Sequence, residues 1–262
     1  MASRAMGSPA TGSCLLATDY FPEGLTVAET TAIAEHAHDV HTHAHQFDDY
    51  EQQVESVFLG MWAFLATEVL FFGAFFTAYA VYRYLYYDAF AASATHYLDT
   101  TLGMINTLVL LVSSFTMALA VHASQLGNRR KTNIFLVLTI LFAFAFLGVK
   151  VVEYTAKYEH HVMPGMATFG EHFNDPEIGM GNIPKEQARV FFSLYFAMTG
   201  LHAFHIIVGI FALATILFMN IRGKFSPSYY SPVEMTGLYW HFVDVVWVFL
   251  FPMLYLIPKV HS

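Results

Sequence analysis

Residues 234–255 read EMTGLYWHFVDVVWVFLFPMLY. The stretch is apolar and long enough for a membrane helix, yet it carries Trp240, His241, Asp244 and Trp247. At 3.6 residues per turn Trp240, Asp244 and Trp247 share one face, with His241 at i, i+3 from Asp244. An acid inside a membrane segment costs about 2.5–3.5 kcal/mol on insertion scales, so it faces protein or a cavity and takes a partner. The nearest candidate in sequence is His241. The same aromatics would also suit an interfacial belt around a structural His–Asp pair.

The rest of the chain agrees with a membrane setting. Of 262 residues, 56% are hydrophobic and 12% charged, and 26 Phe and 15 Tyr are too many for an ordinary soluble domain. Apolar runs of about 20 residues recur. The sequence thus predicts an all-α integral membrane bundle of five transmembrane helices behind a polar N-terminal tail. The net charge of -8 gives no argument for nucleic acid, and the single Cys14 excludes an intrachain disulfide or a cysteine-held cluster. No signal peptide is evident in the first 20 residues, so targeting is expected to rest on the first span.

Residues 1–55 form the tail and 56–262 the membrane domain. The tail run EHAHDVHTHAH holds His36, His38, His41, His43 and His45, a residue type that chelates divalent metals. Their spacing fits no particular coordination geometry, and a solvated tail without a metal is expected. The first span, about 57–85, has Glu68 near its middle among Phe64, Leu65, Phe71 and Phe72. Apolar surroundings favour a neutral carboxyl, and no Lys or Arg is close in sequence. Such an acid is a functional candidate, or else bonds to a neighbouring helix.

Residues 86–100 read as a polar connection with Asp88, His96 and Asp99. The second span, about 101–123, carries Asn106, Thr107, Ser113, Ser114 and Thr116, which suit close helix packing. The third, about 133–155, ends with Lys150 and Glu153 at i, i+3, able to pair or to snorkel. A polar loop over 156–187 follows, expected to rest on a neighbouring surface. In the fourth span, about 188–220, His202, His205 and Gly209 fall at i, i+3, i+7. Two such imidazoles could ligate a metal or, with His241, a haem; a helix contact or a lipid-head-group site is the expected reading. The last span is about 236–258. Arg129, Arg130, Lys131, Arg222 and Lys224 sit in the short loops at 124–133 and 221–235, 86–100 has no Lys or Arg, and Lys157 and Lys185 in the loop at 156–187 weaken the contrast slightly. The positive-inside rule then puts the N-terminus inside and the C-terminus outside. No glycine-rich phosphate loop, catalytic triad or zinc motif appears.

Three motifs read together carry a resemblance: ATEVLFFGAFF with Glu68, MTGLHAFHIIVG with His202 and His205, and YWHFVDVVW with His241 and Asp244. They resemble subunit III of the haem–copper oxidases, best the cytochrome c oxidase branch in its five-span bacterial form, over about 56–258. The longer family form has seven spans; here the first two are missing and a His-rich tail stands instead. The resemblance implies a subunit that binds no haem or copper itself and has no catalytic residue. It would flank subunit I, which reduces dioxygen and pumps protons with electrons from cytochrome c, and would lie in a complex with subunit II. Its role would be to stabilise that core, support proton uptake and hold phospholipid in a cleft, in a bacterial cytoplasmic membrane. Glu68 is similar to the family's buried carboxyl that reacts with hydrophobic carbodiimide. Glu153, His202, His205, Arg222, Glu234, Trp240, His241, Asp244 and Trp247 become helix-contact or lipid-cleft candidates. Quinol oxidases have a similar subunit, nitric oxide reductase a related one. A stand-alone proton or small-solute transporter is the alternative of another class.

Overall fold

A computed structural model describes residues 50–166, 168–170, 173, 183–225 and 229–257. The chain divides into two compact units, 1–53 and 54–262. Of the first, only residues 50–53 are described, as the start of a helix; the tail histidines lie outside the described residues.

Six helices follow in order: α1 Tyr50–Leu85, α2 Tyr87–Tyr97, α3 Thr100–Gln125, α4 Arg129–Glu159, α5 Lys185–Ile221 and α6 Ser231–Tyr255. All except α2 are long and apolar enough to cross a membrane, giving the five expected spans. At 36 residues α1 is about 54 Å long, well over the ~30 Å hydrocarbon core. The spans also begin earlier than hydropathy alone suggests. The first turn of α4 carries Arg129, Arg130 and Lys131, and that of α5 carries Lys185 and Glu186. Polar residues can continue a helix into the interface without changing its hydrogen bonding.

Local chemistry sets the ends. The Asp99 carboxylate accepts from Thr101 N–H at 2.8 Å and Leu102 N–H at 3.3 Å, capping α3. At the other end of α3, Gly127 (φ 68°) donates to Ser124 O and Asn128 to Ala123 O, the paired bonds of a Schellman turn. Gly223 (φ 75°) repeats this pattern after α5, through Asn220 O and Met219 O. After α4 the same turn is made by His161 at φ 54°.

One expectation fails here. The connection at 86–100 contains α2, an 11-residue helix whose Ala89, Phe90, Ala91, Ser93 and Ala94 are buried. Asp88, His96 and Asp99 made the stretch read as polar, but its alanines favour helix and Phe90 anchors it edge-on to Phe191 of α5 at 5.2 Å. The loop after α4 does rest on a neighbouring surface: Val162, Phe169 and Phe173 are buried, and Phe169 packs 6.1 Å from Phe192.

Helices α3 to α6 form the packed core. Small and hydroxyl residues let them approach: Thr116 bonds Thr139 at 2.9 Å, Trp240 Nε1–H donates to Ser113 at 3.1 Å, and Trp247 Nε1–H donates to Thr107 at 3.1 Å. At Gly209 the indole of Trp240 is so close that a Cβ would meet its ring at 2.8 Å. By contrast α1 meets the other helices through a few side chains, chiefly the buried Phe72 and Tyr79, whose hydroxyl donates to Met253 O at 2.9 Å.

Candidate functional site

Three groups of polar side chains are set into this core. The first joins α1 to α5. Glu68 Oε2 lies 3.1 Å from His205 Nε2. The other ring nitrogen, Nδ1, faces Leu201 O at 2.8 Å, and only an N–H can satisfy a carbonyl there. Nδ1 therefore carries its hydrogen, and Nε2 is left to face Oε2. A hydrogen bond between those two atoms takes one further proton, as a carboxylic acid donating to a neutral ring or an imidazolium donating to a carboxylate. Phe72 packs edge-on to the imidazole at 5.2 Å, and Tyr239 donates to His205 O at 3.0 Å. Glu68 is thus bonded to a neighbouring helix.

The second group centres on Glu153, buried at the far end of α4. Oε2 accepts from Lys150 at 2.7 Å, and Oε1 accepts from Lys157 at 2.8 Å, Tyr195 at 2.9 Å and Tyr255 at 2.5 Å. Lys150 also donates to Tyr255 at 2.8 Å and stands 4.5 Å from the Trp247 ring centre, a cation–π contact. The expected Lys150–Glu153 pair forms and neither partner snorkels, since both are under a tenth exposed. Lys157, Tyr195 and Tyr255 were not singled out from the sequence. Lys157 stands at i+4 from Glu153 and was open to the same helical argument. The two tyrosines come from α5 and α6 and leave no local signal.

The third group is the face of α6. Trp240, Asp244 and Trp247 are all buried, as the helical spacing predicts. The His241–Asp244 pair does not form. His241 Nδ1 bonds Ser114 of α3 at 2.7 Å, and neither Asp244 oxygen reaches a hydrogen-bond partner. The i, i+3 relation puts two Cα atoms near each other without aiming the side chains together, and a hydroxyl on α3 competes better. Asn106 is buried with its amide likewise unbonded.

His202 and His205 do not act together. His202 is enclosed between Phe146 at 5.6 Å and Trp247 at 5.2 Å with neither ring nitrogen bonded, while His205 turns to Glu68. Gly209 serves the Trp240 contact. Arg222 caps the end of α5 with its guanidinium 4.1 Å over the Phe218 ring. Glu234 stands half-buried in the first turn of α6, where a negative charge suits the helix dipole. In each group the bonds that form run mostly between helices, which is chemistry suited to holding a bundle in register.

Comparison with known proteins gives this arrangement a family. The family model for cytochrome c oxidase subunit III matches residues 23–173 and 186–258. The quinol oxidase subunit 3 of Bacillus subtilis is 30% identical over 198 residues, 76% of this chain and 85% of that protein. The cytochrome c oxidase subunit 3 of the same organism is 30% identical over 203 residues, 78% of this chain and 87% of that protein. That of Thermostichus vulcanus is 28% identical over 238 residues, covering 90% and 99%. The chain belongs to the subunit III family of the haem–copper oxidases.

Proposed function

We propose that this chain is the non-redox-active subunit III of a proton-pumping cytochrome c oxidase. It stabilises the catalytic subunit I, supports its proton uptake and contacts subunit II. Haem and copper belong to those partners, and this chain carries no catalytic residue. The observation that supports this most is Glu153, whose carboxylate is fully engaged by Lys150, Lys157, Tyr195 and Tyr255 from three helices. Its buried charge is committed to holding the bundle. Glu68 and His205 face each other across two helices at hydrogen-bond distance, an acid–imidazole pair that suits a role beside proton uptake. Bound phospholipid fits the loosely attached α1. The complex is placed in a bacterial cytoplasmic membrane with the N-terminus inside.

A quinol-oxidising complex is the second reading, because the quinol and cytochrome c oxidase subunits of Bacillus subtilis are equally similar to this chain, at 30%. One experiment separates them. The chain is tagged, drawn from gently solubilised membranes, and its companions are weighed and their spectrum recorded. Haem bands, a subunit I mass and oxygen uptake from reduced cytochrome c support the first reading. Uptake from quinol alone transfers the chain to the second. A colourless chain that arrives alone and moves protons in vesicles overturns both.

A further inference from the structure

Besides the three polar groups, the turn between α3 and α4 holds a groove of about 420 Å³. Leu119, Ala123, Ile134 and Phe135 give it apolar walls, and His122 and Lys131 border it with exposed side chains. None of its lining residues comes from α1, α2, α5 or α6. Leu126 and Ile134 beside it are 69% and 50% exposed. A membrane protein presents such residues to acyl chains or to another apolar surface.

Charge selects the occupant. Arg129 and Arg130 adjoin Lys131, and Arg222 and Lys224 lie on the neighbouring turn. That turn is brought alongside because Asn220 donates to Arg129 O at 3.2 Å and to Asn133 at 2.7 Å. None of these five cations forms an ion pair among the described residues. Lys131 borders the groove itself and Arg130 adjoins it in sequence, and a positive border to an apolar groove repels a zwitterionic head group's ammonium and attracts a net negative one. Basic pockets of this kind between membrane helices suit anionic lipid head groups.

We propose that the groove between α3 and α4 binds an anionic phospholipid, with its phosphate on Lys131 and His122 and an acyl chain along Leu119, Ile134 and Phe135. The site is independent of the chain's role in an oxidase.

The test uses the full chain, purified with whatever subunits accompany it and placed in lipid nanodiscs. Spin-labelled phosphatidylglycerol and phosphatidylcholine serve as probes. The expected result is a preference for phosphatidylglycerol that falls about fivefold in Lys131→Gln, the usual worth of one cation at a membrane surface. Ile134→Trp fills the groove without touching charge and is expected to lose the immobilised component of the probe. Helicity by circular dichroism and recovery of companions check that both variants fold. Three results overturn the proposal. One is equal binding of the two lipids. Another is an unchanged signal in Ile134→Trp, which would mean diffuse attraction rather than a groove. The third is a photo-crosslinker at the exposed rim position 126 that captures a protein subunit and no lipid.

Discussion

At the scale of single residues, Glu68 and Asp244 are two membrane acids with opposite surroundings. Glu68 faces His205 at hydrogen-bond distance across two helices. The form with the proton on Glu68 is the one hydrophobic carbodiimide attacks, and Gln can still donate an amide N–H to His205 Nε2. Glu68→Gln is therefore expected to assemble normally and to lose all carbodiimide label from this chain; label remaining on the mutant, read by mass spectrometry, would assign the reaction to another acid. Asp244 has no bonded oxygen to lose. Replacing it with Asn removes an acid that burial disfavours, so Asp244→Asn is expected to hold or raise the melting temperature of the solubilised chain. Asp244→Ala should fall within about 1–2 kcal/mol of it, the difference being volume. A loss of about 3–5 kcal/mol in either would reveal a buried ion pair and refute this account. That Asp244 belongs to the buried face was legible from helical spacing. That His241 turns to Ser114 was not, because that partner stands 127 residues away. Sequence neighbours are visible in a helix, whereas the choice among neighbours is made by packing.

At the scale of elements, two quantities decide which helix contacts matter: how close the backbones come and how many helices one group joins. Gly209 meets Trp240 at a distance no Cβ could share, while Gly148 on α4 has nothing within 4 Å of its Cβ position. Gly209→Ala should thus cost about 1–3 kcal/mol by overpacking. Gly148→Ala should be neutral or gain up to about 1 kcal/mol from helix propensity. Equal melting temperatures for the two would show that the α5–α6 approach is not limiting. Glu153 joins α4, α5 and α6 through four hydrogen-bonded partners, Lys150, Lys157, Tyr195 and Tyr255. Glu153→Gln leaves Lys150 and Lys157 buried without their counter-charge, and a loss of about 3–5 kcal/mol is expected. Adding Lys157→Met should recover part of it, since one uncompensated charge is then gone; no recovery in thermal melts would mean the carboxylate acts through its tyrosines alone. The five spans were legible because twenty apolar residues have few other fates. Helix α2 was not, because eleven residues of mixed alanine and polar character fit a loop as well as an interfacial helix.

At the scale of the whole molecule, charge is divided between the two ends of the bundle. The turn 126–128 and the turn after α5 come together through Asn220 and Arg129, so the five cations counted from separate loops form one basic end. The opposite end holds the loop after Glu159, the aromatic packing of α2 and the enclosed Glu153 cluster, whose two lysines are buried and bonded to the carboxylate. Lys157 therefore adds no free charge to the loop it opens, whereas Lys185 at the far end of that loop is exposed and remains the charge that weakens the asymmetry. The positive-inside rule predicts that the basic end faces the cytoplasm. A fluorescent protein inserted after Gly127 is expected to fold and fluoresce. Alkaline phosphatase inserted at the same place should be inactive, and the two results should exchange for insertions after Gly165. The reversed pattern at both positions would place the basic end outside and show that a partner subunit, rather than this chain's own charge, sets its orientation.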